Sequence, residues 1–335
     1  MGFTWRENFI FPAQSIMHHS FFLTLLLLGF RLSGWAQPVG DNVHQVVFLG
    51  NSITYAGQYV SDFETCLLLR HPGRSLEVVN AGLPSETVSG LSEPGHAGGK
   101  FPRPDLHERL HRLLALVKPE MIIACYGMND GIYLPFDSTR FNRYREGMIW
   151  LHDTLLKTGA RVIFMTPPVY DEQRGGATGY SNVLDRYSQW LNDQSASGWE
   201  VADLHTPMAA YLSAHRAVDA RFGVDDFALA DDGVHPGEAG HWLIAKVLLT
   251  HLDETWVSRF GSIAAAAASF PSGPAILDLV RKRQEMMKDA WLTAAGHKRP
   301  GMRTGLPLAA ANLDAVRISG IINRLQQMPA TAPSK

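Results

Sequence analysis

The sequence predicts an α/β fold with a mostly parallel sheet, and two observations carry that reading. Five short, apolar runs rich in β-branched residues mostly end at Gly or Pro, as strands buried on both faces do. Between them lie longer stretches with helical spacing, and strand–helix alternation of this kind builds a parallel sheet. Composition agrees: 335 residues, 46% hydrophobic and 19% charged, make a globular chain with one large or two modest domains.

The strand-like runs are 44–50 (HQVVFLG), 76–82 (LEVVNAG), 121–127 (MIIACYG), 161–167 (RVIFMTP) and 199–204 (WEVADL). Helical spacing covers about 57–70, 104–118, 138–158 and 180–196. A last helix over 237–252 carries Leu243, Ile244, Val247 and Leu248 on one face. Cys66 and Cys125 each sit inside an apolar run, which predicts buried free thiols and excludes a disulfide-rich scaffold.

Both ends of the chain differ from this middle. Residues 21–30 (FFLTLLLLGF) are too few to span a bilayer, which takes about 20 residues. They have the length of a signal-peptide core, and Gly34 and Ala36 suit cleavage before Gln37. The expectation is a leader over 1–36, with Met17 as an alternative start, and a secreted or periplasmic protein. No cysteine lies near the cleavage point, so no stable membrane anchor is expected.

At the other end, 264–268 reads as a small-residue linker, followed by Ser272 as a cap and Pro274 in a first helical turn. Ile276, Val280, Met287 and Trp291 share one face, and Gly296 supplies a stop. A second helix over about 308–327 places Ile318, Ile321, Ile322 and Leu325 inward. Residues 254–335 are thus read as a helical hairpin extension of a domain spanning 37–253. The hairpin region carries 11 basic and 5 acidic residues, net +6; the domain carries 17 basic and 26 acidic, net −9. This opposition predicts that the hairpin docks on the domain, with apolar burial by Ile276, Val280, Trp291 and Ile321 dominating over exposed ion pairs. The basic turn 297–299 is a candidate to reach the mouth of the site. The whole chain is net −2, which gives no global excess for nucleic acid.

Four short motifs carry chemistry: Gly50-Asn51-Ser52-Ile53-Thr54, Asn80-Ala81-Gly82, Gly127-Met128-Asn129-Asp130 and Asp232-Gly233-Val234-His235-Pro236. The first three leave predicted strands, and the carboxyl ends of parallel strands converge on one edge, where α/β proteins bind ligands. A serine hydroxyl is a weak nucleophile until a base takes its proton. His235 is the candidate base, and Asp232, three residues earlier, can hold the other ring nitrogen. The N–H groups of Ser52 and Gly82 and the amide of Asn129 are candidate donors to a developing oxyanion, each worth on the order of 3 kcal/mol. Singly, each motif has an ordinary reading: a capping serine, a loop histidine, an Asn-Asp-Gly turn. Together, in order and at element boundaries, they point to acyl transfer.

With these four blocks the sequence resembles the SGNH (GDSL-type) hydrolase superfamily over about 44–253. The resemblance implies a flavodoxin-like, three-layer α/β/α fold with five strands. It implies a triad of Ser52, Asp232 and His235 and an oxyanion hole of Ser52, Gly82 and Asn129. One departure is Asn51, where the family usually has Asp; Asn still offers an acceptor oxygen to the turn.

Loop 83–104 starts right after Gly82 and is polar and rich in Gly and Pro. Loops so placed shape pockets, so Glu86, His96, Phe101 and Arg103 are candidate substrate contacts, with Asn51 and Asp130 beside them. The insert 170–180 (YDEQRGGATGY) offers Tyr170 and Tyr180 as a sugar-stacking platform. Neither loop is apolar like a lipase lid. The expected substrate is a small-molecule or glycan ester, foremost an O-acetylated carbohydrate. The alternatives are a lysophospholipase, thioesterase or broad esterase, and, from another class, a non-catalytic glycan-binding module. No HExxH, paired Cys ligands or Gly-rich phosphate loop occurs, so no metal or cofactor is implied.

Overall fold

A computed structural model of the chain describes residues 1–2, 38–224 and 227–328. The expected leader over 1–36 lies outside the described residues apart from its first two. β1 (Gln45–Gly50) feeds directly into the short α1 (Ser52–Ala56) and then α2 (Gln58–Arg70). β2 (Glu77–Asn80), α3 (Leu110–Leu116), β3 (Met121–Cys125) and α4 (Ser138–Leu156) follow. β4 (Arg161–Met165), the one-turn α5 (Glu172–Gly175), α6 (Tyr180–Asp193) and β5 (Glu200–Ala202) complete the sheet.

The five strands are all parallel, in the order β2-β1-β3-β4-β5. Every strand expected from the sequence is present. Val46 to Leu49 and Met121 to Ala124 are completely buried, which is why those runs lack a polar alternate face. Gly50 pairs with Cys125, so β1 and β3 end level. They are also the strands between which the order of connection reverses, the place where open α/β sheets bind ligands.

After β5 comes α7 (His205–Arg221), a helix that the hydrophobic spacing did not predict. The reason is its exposure: among its residues only His205, Met208 and Leu212 are buried, too few to write a periodic stripe. α8 (Glu238–His251) packs on α2. The stretch expected to be a linker is helical, α9 (Ile263–Ala268); alanine is the best helix former, and Ser262 Oγ accepts the Ala265 N–H at 3.1 Å as a cap.

The last two helices, α10 (Gly273–Ala295) and α11 (Leu308–Gln327), pack on each other, and α10 also packs on α2 and β2. Ser272 is not the side-chain cap expected of it; it sits at a left-handed φ of 57° and makes no capping bond. Ile276, Val280, Met287 and Trp291 are buried as expected, whereas Ile321 is 39% exposed and Ile322 takes the inward position. Ile318 and Leu325 are partly buried. The expectation of exposed ion pairs also needs correction. Arg283 reaches the buried Glu64 of α2 at 2.7 Å, out of solvent. Gln284 Nε2 donates to Val78 O at 2.8 Å, so α10 covers the outer edge of β2, whose unpaired backbone would otherwise invite another strand. The described residues from 38 onward belong to one compact unit. Cys66 and Cys125 are free and buried.

Candidate active site

β1 delivers its chain straight into α1, and the turn between them sets Ser52 at the helix start. Asn51 caps that helix, its Oδ1 accepting the Ile53 N–H at 3.0 Å. The acceptor oxygen that Asn shares with Asp therefore serves the turn, and Asn51, only 3% exposed, is a scaffold residue and not the substrate contact expected. Glycine is needed at Gly82, because a Cβ there would meet Tyr55 N at 2.4 Å; β2 thereby ends against α1.

The Asp232–His235 turn comes from far along the chain to meet Ser52. His235 Nε2 lies 2.8 Å from Ser52 Oγ, and His235 Nδ1 lies 2.6 Å from Asp232 Oδ2. Asp232 Oδ1 accepts the N–H groups of Val234 and His235 at 2.9 and 2.8 Å. Burial would raise the Asp232 carboxyl, but the bonds from the His235 ring and these two N–H groups hold it below the ordinary carboxylate value. Asp232 thus stays ionised and favours the tautomer with the proton on Nδ1, leaving Nε2 to accept from Ser52.

Gly233 makes the turn possible at φ +78°, where a Cβ would strike Gly175 N at 2.5 Å. The insert 170–180 is the buttress of this turn. The Asp171 N–H donates to Gly233 O at 3.0 Å. The Ala177 N–H donates to Tyr170 Oη at 2.8 Å, and Tyr180 Oη donates to Met128 O at 2.8 Å. Both rings are buried, so the expected stacking platform is corrected to a structural brace.

Of the expected oxyanion donors, Ser52 N–H belongs to the first turn of α1, where amides have no intrahelical acceptor. Asn129 is 3% exposed; its Nδ2 donates to Glu86 O at 3.1 Å, and its Oδ1 accepts from Tyr133 Oη at 3.1 Å. One amide hydrogen of Asn129 is left over. Gly82 differs from expectation, since its N–H donates to Asn80 Oδ1 at 3.0 Å and must be shared or released to serve an anion.

Four other expected contacts resolve into scaffold and surface. Glu86 is fully buried, with its two oxygens held by Arg109 at 2.6 Å each and by Tyr126 Oη at 2.8 Å. Asp130, also fully buried, accepts N–H groups from Val88, Ser89 and Gly127 at 2.8–2.9 Å and ties loop 83–104 to the end of β3. Neither carboxylate has an oxygen to spare, so both expectations of substrate contact are corrected. Arg103 is buried and bound twice to Glu93 at 2.7 Å, with its guanidinium 5.2 Å from the Tyr133 ring centroid. Of the six expected contacts, Phe101 and His96 keep an accessible face; Phe101 lies edge-on to His96 and beneath Arg299 of the basic turn.

Tyr133 is the residue that sequence reasoning passed over, and Asn80, named there only within its motif, gains a role as acceptor of the Gly82 N–H. Burial pushes the Tyr133 phenol up, so it remains a donor to Asn129. Its φ of 56° and that of Ile132, 50°, are left-handed, a strained path for residues with a Cβ. The available signal was the spacing: Tyr133 stands four residues after Asn129.

The model of the GDSL-like lipase/acylhydrolase family matches residues 48–243, and the chain belongs to that family. It is a carboxylic ester hydrolase with the SGNH fold. Among solved structures it is similar to BT4096, a gut microbial diltiazem-metabolizing enzyme, at 22% identity and TM-score 0.49, over 65% of this chain and 49% of that one. The chain thus spans about half of BT4096. It is also similar to Axe2, an acetylxylan esterase from Geobacillus stearothermophilus, at 22% identity and TM-score 0.48, over 66% of this chain and 98% of that one. The lipase/acylhydrolase from Enterococcus faecalis is similar at 21% identity and TM-score 0.47, over 63% and 96% of the two chains. No curated protein matches the chain.

Proposed function

We propose that the protein is an exported serine esterase that removes O-acetyl groups from carbohydrate, with Ser52 as nucleophile. The observation that carries the mechanism is the continuous line Asp232–His235–Ser52 at 2.6 and 2.8 Å. Ser52 Oγ attacks the ester carbonyl as its proton passes to His235 Nε2, and Asp232 stabilises the imidazolium. The Ser52 N–H and the remaining Asn129 hydrogen stabilise the tetrahedral oxyanion, joined by Gly82 N–H if it leaves Asn80. The alcohol departs with the proton from His235. Water then attacks the acyl-serine, giving up a proton to His235, and the carboxylic acid leaves as Ser52 recovers its hydrogen.

The exterior of loop 83–104 supports a hydrophilic alcohol, since its exposed stretch, Pro94, Gly95 and 97–100, carries Lys100 and no large apolar side chain that could form a lid. The apolar stretch at 21–30 and the small residues before Gln37 support export.

Ser52→Ala should lower ester hydrolysis by roughly 10⁴-fold or more with the fold intact. Full activity in that variant would exclude Ser52 as nucleophile. For the substrate, release of acetate from acetylated oligosaccharides is measured against release of fatty acid from lysolipid. Dominant fatty-acid release would replace the carbohydrate reading with a lysophospholipase. Amino-terminal sequencing of exported protein tests cleavage before Gln37.

A further inference from the structure

The basic turn 297–299, between α10 and α11, lies beyond the 48–243 that the family model matches. Its Arg299 guanidinium carbon sits 5.4 Å from the centre of the Phe101 ring. The same charge acts on the phenol of Tyr55, three residues after Ser52 on α1. From Phe101 the contacts continue edge-on to His96, from the His96 ring to Glu93 at 3.3 Å, and from Glu93 to Arg103 at 2.7 Å. Arg103 lies over Tyr133, which bonds Asn129 and feels the charge of Asp232. Asp232, His235 and Ser52 close the circuit. Arg299 is thus one member of a ring of contacts that begins and ends at Ser52. Ser52, Tyr55, His96, Phe101, Tyr133 and Arg299 all keep partly exposed surface.

Arg299 differs from the other arginines around it in having no counter-charge. Arg103, Arg109, Arg112 and Arg303 each have a carboxylate at 2.6–3.7 Å. Arg299 has none among the described residues; its Nη1 donates to Pro300 O at 3.1 Å and to Met302 Sδ at 3.0 Å, both neutral. The Tyr55 phenol is no substitute, because burial and its bond to Asp289 push it up to about 12 and it is uncharged at neutral pH. Burial disfavours the Arg299 charge, yet an arginine in a protein stays protonated. A half-buried cation without an anion carries a desolvation cost that an incoming anion relieves.

The nitrogens show where that anion fits. Nε is closed to solvent, whereas Nη2 has no hydrogen-bond partner among the described residues and stays open. The two bonds of Nη1 fix the plane of the group, so Nη2 is offered at a set place. The rim's own carboxylates are engaged elsewhere: Glu93 with Arg103, Glu285 with Lys288, and Asp289 with Tyr55 and Arg303. One open NH2 group suits a carboxylate better than a phosphate, whose three oxygens call for more donors.

We infer that Arg299 is a specificity residue that receives a carboxylate of the substrate, so that the ester is cut from an acidic carbohydrate. The reacting ester is neutral and is held at Ser52, so this carboxylate belongs to another part of the same molecule. That its carrier is a sugar rests on the carbohydrate esterase reading; the carboxylate contact does not.

The test is inhibition of 4-nitrophenyl acetate hydrolysis by the full chain, with unacylated tetragalacturonate, its neutral methyl ester and inorganic phosphate as inhibitors. At low ionic strength tetragalacturonate should compete with the substrate, with an inhibition constant at least about fivefold lower than that of the methyl ester. Phosphate should inhibit more weakly, and the difference between the two sugars should fade in about 0.5 M salt. Arg299→Met should bring the two sugars to the same constant. Arg299→Lys should keep part of the difference, and Lys298→Met, at the exposed neighbour, should keep most of it. The probes carry no acetate, so acetate release from acetylated sugars judges the carbohydrate reading separately. Equal inhibition by the acid and its methyl ester, inhibition that is not competitive, or stronger inhibition by phosphate would overturn the inference. So would a difference that survives Arg299→Met or vanishes equally in Lys298→Met.

Discussion

Two regions of this esterase bury charged and polar groups, and they do so in opposite ways. Behind the oxyanion side of the site, Glu86 is matched by Arg109 and Tyr126, and Asp130 by three backbone N–H groups. On α2, α8 and α10, by contrast, the buried Asp62, His241 and Gln284 each leave an atom without a hydrogen-bond partner among the described residues. A satisfied buried network fixes geometry, and an unsatisfied one stores a cost that a ligand or a substitution can relieve. The same chemical types therefore act as a satisfied scaffold in one place and carry an unrelieved burial cost in the other.

Opposite responses to carboxylate removal would sharpen this contrast. Glu86→Ala strands the buried Arg109 charge and should cost about 3–5 kcal/mol in denaturant unfolding. A loss under about 1 kcal/mol would mean that Arg109 is not held by that pair. Asp62→Asn should do the reverse. The Asp62 carboxyl lies at about 7 in the fold against its ordinary 3.8, so the folded state holds the proton more tightly than the unfolded chain. Its contribution to stability therefore falls as pH rises from about 4 to 7. Asp62→Asn should stabilise by about 1–3 kcal/mol at pH 8, with the gain shrinking towards pH 4. Destabilisation at pH 8 would break the comparison. The smallest effect is expected at Tyr133→Phe, which removes the bond orienting the Asn129 amide. Activity should drop about tenfold in kcat, with KM and the melting temperature nearly unchanged. A change confined to KM would place Tyr133 in substrate binding instead.

The sheet was legible because its strands are buried on both faces and write themselves as unbroken apolar runs. α7 was not, because a helix lying on the surface with three buried residues has no stripe. At the site, Ser52, Asn129, Asp232 and His235 were legible from residue type at strand and helix boundaries. The buried fate of Glu86 was not, because a loop sequence does not say which of its polar residues turns inward. Only Arg109, 23 positions later, explains it. Tyr170 and Tyr180 misled for a similar reason: an aromatic in a Gly-rich insert can face solvent or brace a turn, and only their hydroxyl bonds with the Ala177 N–H and Met128 O show that they brace it.

The Ser52–His235 contact spans 183 positions of sequence. All five strands lie between those two residues or before the second, so a nascent chain can finish its sheet while the serine is still an ordinary alcohol. On the proposed chemistry, reactivity arrives only with the last stretch before α8. Ester turnover is then a reporter of a chain folded at least as far as His235, and a chain stalled after β5 poses no hydrolytic hazard to the acylated molecules around it.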